Sequence, residues 1–328
     1  MIAQANTLQH ERGRLMPLLW RAIRSAPPAI FVAAGVIFAA LIFVPALMSL
    51  PFQMVILRQA SPIGLAICAQ LLVMRSNSID LSMGGLFILV NYLVTSAALS
   101  GYPTYVIVAA PLIAGCVVGA INGFFVAVFR ASSVVVTLAM GVILSGVVLY
   151  FSSGSPPGSA GDFVRQLGVG KWGPVPIAVV IWLVVAAILA ISLRTLIYGR
   201  FIRVIGVNPV AASISGIPVA RMLFVSHMFS GFLASLGGLL MAGYIGMGSV
   251  KLGIDVVMMS IAGVILGGIT FGGGKKGIFG AIVAAYALAF LFNLMTALRF
   301  GEPGKLIVQG AVIALASIVA SLSAHKEA

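Results

Sequence analysis

An all-α integral membrane protein is the predicted fold class, and three observations predict it. Of 328 residues, 61% are hydrophobic and only 8% are Asp, Glu, Lys or Arg, whereas soluble domains run near 45–50% apolar and about 25% charged. The mean hydropathy is +1.19, more apolar surface than a water-soluble fold can cover. Finally, the apolar residues gather into runs of the length that an α-helix needs to cross a hydrocarbon core of about 30 Å, roughly 20 residues at 1.5 Å each.

About ten such stretches are legible. They are Ala29–Leu47, Gln59–Met74, Ile79–Ser100, Tyr105–Phe129 and Val134–Phe151, then Val175–Leu193, Val219–Tyr244, Val256–Phe271, Ile278–Leu298 and Leu306–Leu322. The first follows Arg12, Arg14, Arg21 and Arg24 with no small-residue cleavage site after it, which suits a retained anchor better than a cleaved signal. With the N-terminus in the cytoplasm, the 19 bases divide unevenly: Arg58, Arg165, Lys171, Lys251, Arg299 and Lys305 fall outside and all others inside. Both termini are therefore expected to be cytoplasmic, with residues 1–28 a basic N-terminal segment, 29–322 one transmembrane domain and 323–328 a short tail. The net charge of +13 is spread between apolar runs rather than gathered on one face, so nucleic acid is not an expected partner.

Several chemistries are excluded by inventory. Cys68 and Cys116 each lie inside an apolar run, which rules out a disulfide framework, and His10, His227 and His325 have no ligand spacing. No Ser or Cys nucleophile stands beside a plausible His base, so no hydrolase is expected. Gly267–Gly277 ends in glycines and lysines but has Ile269 and Lys276 where a phosphate loop needs Gly and Ser or Thr. It is expected to be a tight cytoplasmic turn, and any ATP-driven activity must come from a separate subunit.

Two connections exceed a turn. Ser152–Gly173, placed outside, is rich in Gly, Ser and Pro with an apolar minority that includes Phe163, Leu167 and Trp172. Arg194–Pro218, placed inside, has Gly199 and Gly206 as breaks, and Asn208-Pro209 as a helix start for a short small-residue helix over Val210–Ser215. Gly115, Gly119 and Gly123 recur every four residues, the spacing of close helix packing.

The densest polar cluster in the hydrophobic body is Arg75, Ser76, Asn77, Ser78 and Asp80. One reading makes Asp80 cap the third span and pair with Arg75 in a broken-helix element; the other makes this a plain cytoplasmic turn with an N-cap aspartate. Ile254-Asp255-Val256-Val257-Met258 echoes Ile79-Asp80-Leu81-Ser82-Met83, as an inverted repeat of spans two to five and seven to ten would produce. Asn91, Asn122, Gln70, His227, Asn293 and Gln309 either line a path or join helices. Asp80 and Asp255 are both expected near span ends, which argues against proton-coupled transport.

Taken in order, these motifs resemble the permease subunits of bacterial ABC importers for monosaccharides of the ribose, xylose and galactose type. Ile79-Asp80-Leu81-Ser82 is similar to that family's Gly-Gly-Ile-Asp-Leu-Ser, Gly119-Ala120-Ile121-Asn122-Gly123 to its Gly-Ala-Val-Asn-Gly, and Val136-Thr137-Leu138 to its Val-Thr-Leu. Gly199-Arg200 through Gly206 and Asn208 to Ala211-Ala212 and Gly216 resembles the loop that docks on the ATPase subunit. The resemblance runs from about Gln59 to Leu322. It implies a second permease chain, like or paralogous, two cytoplasmic ATPase subunits carrying ATP-Mg, and a periplasmic binding protein received at Phe163, Leu167 and Trp172. No cofactor is expected on this chain itself, and Arg75, Asp80, Asn122 and Asp255 become gating or structural candidates. Two departures stand out: Ser76-Asn77-Ser78 replaces the usual glycines, and Val257 and Met259 occupy the positions of an acidic pair. A nucleoside, a signalling furanose or a branched-chain amino acid are alternative cargoes, and an ion-coupled carrier is the alternative mechanism.

Overall fold

The computed structural model describes residues 26–154, 158–249, 253–269 and 277–324. The basic segment up to Arg24, most of the Gly267–Gly277 turn and the end of the tail lie outside these residues. Within them the chain is almost wholly helical: α1 (Pro28–Phe43), α2 (Leu50–Arg75), α3 (Met83–Thr95), α4 (Thr104–Val128), α5 (Ser133–Ser152), α6 (Asp162–Val169), α7 (Ile177–Thr195), α8 (Ile197–Val207), α9 (Pro209–Ile214), α10 (Val219–Ile245), α11 (Gly253–Leu266), α12 (Ile278–Ala297) and α13 (Glu302–Ala324). Each apolar stretch seen in the sequence contains a helix among the described residues. Six of them, α2, α4, α5, α7, α10 and α12, are long and apolar enough to cross a membrane among the described residues.

The bundle has an inner and an outer layer. Most of α2, α10 and α12 is buried, whereas α4, α5 and α7 expose most of their apolar surface; Val135, Leu138, Val142 and Ile143 of α5 are all open to the outside. That arrangement makes sense only if lipid or another apolar partner covers the outer layer, because no water-soluble fold exposes contiguous apolar surface on this scale. α4 leans on α10 through its glycine stripe: a Cβ on Gly115 would overlap Gly231 and Ser235, one on Gly119 would overlap His227, and one on Gly123 would come within 2.9 Å of Phe224. The four-residue glycine spacing thus does what close packing requires, letting two backbones touch without side chains between them.

Two expectations about loops change. The Ser152–Gly173 stretch contains a helix, α6, pinned to the end of α10 where Gly168 meets Gly243 and Tyr244; a two-residue hairpin, β1 (Lys171–Trp172) with β2 (Val175–Pro176), then turns at Gly173 with φ +61°. Gly199 and Gly206 do not break the cytoplasmic segment, since both are buried inside α8. Gly199 is needed there because a Cβ would overlap the Leu193 backbone at the corner between α7 and α8. The true turn is Gly216, with φ +79°, a conformation that glycine adopts without steric cost.

Candidate functional site

Between α2 and α3 the chain is not helical from Asn77 to Leu81. Asn77 has φ +58°, which turns the chain back from the end of α2, and Ser78, Asp80 and Ser82 are buried. Unpaired backbone inside an apolar bundle is costly, so each exposed group needs a partner from the surrounding protein. α5 supplies two: Ile79 N donates to Ser133 Oγ at 3.2 Å and Leu81 N donates to Thr137 Oγ1 at 2.9 Å. Thr137 in turn donates to the Ser133 carbonyl at 2.7 Å, which sets its rotamer.

Asp80 is fully buried and is held by hydroxyls. Its Oδ1 accepts from Ser82 N at 3.0 Å and from Ser82 Oγ at 2.6 Å, and its Oδ2 accepts from Ser230 Oγ of α10 at 2.9 Å. Asn122 of α4 donates from Nδ2 to Ser82 Oγ at 2.9 Å. His227, one turn before Ser230, shares a 2.9 Å hydrogen bond between its Nε2 and Ser78 Oγ. Three helices therefore converge on one extended segment.

This geometry revises two expectations. The Asp80 carboxylate takes its bonds from Ser82 and Ser230 rather than from Arg75, the partner that one of the two readings gave it; Arg75 ends α2, buried, within electrostatic reach of Arg203. Nor is Asp80 at a span end. Ser230 lies about 16 Å of helix from the start of α10, roughly half the thickness of a hydrocarbon core of about 30 Å. The physical reason is that residues after Asn77 run extended along the neighbouring helices, gaining about 3.3 Å per residue, so a few residues carry Asp80 deep into the bundle. The argument against proton coupling rested on Asp80 lying near a span end, and a buried Asp80 in the same cluster as His227 removes that premise for Asp80.

The structure brings Asp80 and Asn122 together and sets Asp255 apart. Asp255, in the first turn of α11, is exposed and lines a different cavity. The two short helices α3 and α11 nonetheless touch: a Cβ on Gly84 would stand 2.5 Å from the Gly253 carbonyl oxygen. Beside this contact lies an open apolar cavity of about 680 Å³, walled by Leu81, Gly84, Gly85 and Ile88 of the α3 region, Leu138 and Gly141 of α5, and Gly253, Val257 and Met258 of α11. Ser78, Ser82, Thr137 and Ser230 carry the cage although none was singled out as a site residue. The signal available was the three-residue spacing of His227 and Ser230, which places both on one helical face.

Of the other polar spans, Asn91 ties α3 to the segment after α10, through Met247 O and Ser249 N. Asn293 donates to Gln59, and Gln59 donates to Tyr244, so these groups join helices. Gln70 and Gln309 keep buried amide nitrogens with no partner among the described residues.

On the cytoplasmic segment, Asn208 caps α9, accepting from Val210 N and Ala211 N at 3.0 Å each. The helix is one residue earlier than expected, Pro209–Ile214, with Pro at its first position as the cap geometry favours. Ala212 is buried and Ala211 exposed, while Val207, Val210 and Ile214 are 73%, 67% and 83% exposed beside Arg200 and Arg203. The corner is tied inward by Tyr198, whose hydroxyl bonds Ser226 of α10 at 2.8 Å. Burial pushes the Tyr198 phenol up to about 12, partly offset by that hydrogen bond, so it stays protonated at physiological pH. Ser226 adjoins His227, and a continuous path thus runs from α8 through Tyr198, Ser226, His227 and Ser78 to the extended segment. Near the opposite end of α10, Phe163 and Trp172 are exposed and Leu167 is half-buried around α6.

Comparison with known proteins places these features in a family. The family model described as "Branched-chain amino acid transport system / permease component" matches residues 52–317. The ribose import permease protein of Escherichia coli is 31% identical over 270 residues, covering 80% of this chain and 84% of the relative. A probable ABC transporter permease protein of Sinorhizobium fredii is 31% identical over 272 residues, 81% and 79% of the two chains. The L-arabinose ABC transporter permease protein of Azospirillum brasilense is 24% identical over 256 residues, 77% and 75%. No solved structure matches the chain. With the family model spanning most of its length, the chain belongs to the permease-component family of branched-chain amino acid transport systems.

Proposed function

We propose that the chain is the membrane-spanning subunit of an ATP-driven importer for a monosaccharide or similar small polyol. The observation that carries this reading is the likeness to a ribose import permease over four-fifths of the chain. In this reading all ten apolar helices cross the inner membrane and both termini are cytoplasmic. The subunit pairs with a like or paralogous chain, with two ATPase subunits that carry ATP-Mg and with a periplasmic binding protein. The solute path runs along the axis between the two permeases.

The geometry supports a mechanism for coupling. A short, separately capped helix with exposed Val207, Val210 and Ile214 and flanking arginines suits a partner's cleft, because apolar anchors in a basic rim bury well and orient by charge. Displacement of α8 and α9 is passed to α10 by Tyr198 and Ser226, and from α10 to the extended segment by His227 and Ser230. Phe163, Leu167 and Trp172 receive the binding protein, and the α3 and α11 region forms the part of the path that opens and closes.

The first test is to purify the tagged chain from its native membranes in mild detergent, identify co-purifying proteins and measure ATP hydrolysis. A P-loop ATPase in near-equal amount is expected; the chain alone, with uncoupler-sensitive uptake, would make an ion-coupled carrier through Asp80 and His227 the better reading. A second cargo, a branched-chain amino acid, is favoured by the family description, and uptake of ribose against leucine in reconstituted vesicles separates the two. Gly206→Pro, or Ala212→Phe at the buried face of α9, should preserve ATP hydrolysis and abolish uptake. Normal uptake by both variants would sink the coupling assignment.

A further inference from the structure

At the end of the bundle that carries the α8–α9 corner, the last turn of α4, the first turn of α10 and one edge of α9 wall an open groove of about 990 Å³. Its depth in the bilayer follows from the helices that bound it. α4 runs 25 residues, about 37 Å, against a hydrocarbon core of about 30 Å. Arg130, two residues past the end of α4, therefore stands among the lipid headgroups. Arg221 is the third residue of α10, a helix of 27 residues, and reaches the same level from the other side of the groove.

Both arginines line the groove, both are exposed, and neither has an ion pair or a side-chain hydrogen bond among the described residues. The inventory of acids explains why. The chain has six, and of the four among the described residues Asp80 is in its cage, Asp162 opens α6, and Asp255 and Glu302 share the cavity beside Gln59. None lines the groove. Apart from Arg130, Arg221 and Ser213 the wall is apolar, with Val126, Ala127 and Ile217 among its residues. Next to it on α4, Phe124, Phe125 and Phe129 are exposed and pack ring on ring, with centroids 5.6–5.8 Å apart.

Guanidiniums without an internal counter-charge suit a phosphate, which each can meet through paired hydrogen bonds. A soluble phosphate would answer the charge and leave the apolar wall to water, whereas an amphiphile covers both. A zwitterionic headgroup would bring an ammonium for which the groove holds no carboxylate. We propose that this groove is a binding site for an anionic phospholipid, with the phosphate between Arg130 and Arg221 and the upper chains against Val126, Ala127 and the exposed phenylalanines. Basic pockets between membrane helices hold anionic headgroups on the same physical grounds. α9 gives Val210 and Ser213 to the groove and keeps Val207 and Ile214 clear of it, so a bound lipid leaves two exposed apolar side chains of that corner free for a protein partner. Because its wall belongs to α4, α9 and α10, the lipid braces the corner from which the path to His227 begins. The site does not depend on which solute is carried.

The test is native mass spectrometry of the full-length chain released from nanodiscs of phosphatidylglycerol and phosphatidylcholine in equal parts. The unaltered chain should retain phosphatidylglycerol over phosphatidylcholine at least fivefold. Arg130→Gln combined with Arg221→Gln should remove that preference, and so should Ser213→Trp, which fills the groove and keeps both charges. Ser213 is exposed, so its variant keeps the test open if the double variant fails to insert. Arg194→Gln, which removes an exposed base outside the groove, should leave the preference intact, and glycerol phosphate should not displace the lipid. Equal retention of the two lipids, or a loss in Arg194→Gln as large as in the double variant, would reduce the effect to general basic attraction and overturn the site. Displacement by glycerol phosphate would overturn it in favour of a soluble phosphate. An unchanged preference in either groove variant would also overturn it, and loss of a co-purifying ATPase in that same variant would give the groove to a protein instead.

Discussion

The starts of α3 and α11 carry the same short pattern, an Ile-Asp pair followed three residues later by Met, and the fold treats them in opposite ways. Asp80 precedes α3 in an extended segment, fully buried, with its carboxylate bound by Ser82 and Ser230. Asp255 sits within the first turn of α11, exposed, on the wall of a cavity of mixed polar and apolar lining. The lesson is that a carboxylate at a helix start is compatible with both a sealed structural knot and an open wall; what decides is whether neighbouring helices bring hydroxyls to it. α10 and α5 bring Ser230, Ser133 and Thr137 to the first start, and no corresponding bonds to Asp255 are found among the described residues.

That contrast breaks in a definite order if it is right. Asp80→Leu strands the Ser82 and Ser230 hydroxyls at a cost of about 1–3 kcal/mol for each unmatched group, a loss of about 3 kcal/mol that thermal unfolding in nanodiscs would record; an unchanged midpoint would mean the cage does not hold the segment. Gly84→Val, which must push against the Gly253 carbonyl, should cost about 2 kcal/mol by overpacking and separate α3 from α11, measurable as faster labelling of a cysteine placed at Val257. Ser230→Ala is smaller, about 1 kcal/mol, and should lose its effect in an Asp80→Leu background, because the two act through one bond. Asn208→Ala removes the α9 cap for about 1 kcal/mol and should lower uptake per ATP hydrolysed. Smallest of all, Asp255→Ala should shift stability by no more than about 0.5 kcal/mol; a large shift would show that this carboxylate is also structural.

The helices were legible because a membrane leaves few alternatives: backbone groups must bond within their own segment, so apolar runs and helices coincide. The glycine stripe of α4 was legible for a similar reason, as four-residue spacing has one common physical use. The Asp80 cage was not. Its partners lie on α4, α5 and α10, far apart in sequence, and a Ser or Thr inside an apolar run is equally suited to bonding its own helix, as Thr137 also does. The depth of Asp80 was hidden because turn-forming residues after Arg75 say where a helix ends, not that the next residues run extended into the bundle. α6 was obscured by the Gly, Ser and Pro around it, although Asp162 at its first position favours a helix start. Asp255 is ambiguous in the sequence because only the third dimension shows that it lines a cavity rather than joining a cage like that of Asp80.

The two-layer burial has a consequence for how the chain is made. Among the six long helices, the mostly buried α2 and α10 are also the least hydrophobic, and α2 carries Gln53, Gln59, Gln70 and Arg75. Synthesis proceeds from the N-terminus, so α2 emerges well before α10, α11 and α12 exist to cover those groups. Left alone in lipid, its polar side chains would be poorly solvated, and release from the insertion machinery would gain little until α10 arrives. The order of assembly is therefore written into the composition of the inner layer: α4 and α5 can partition into lipid as they appear, while α2 must wait, or be held, for a partner translated more than a hundred residues later.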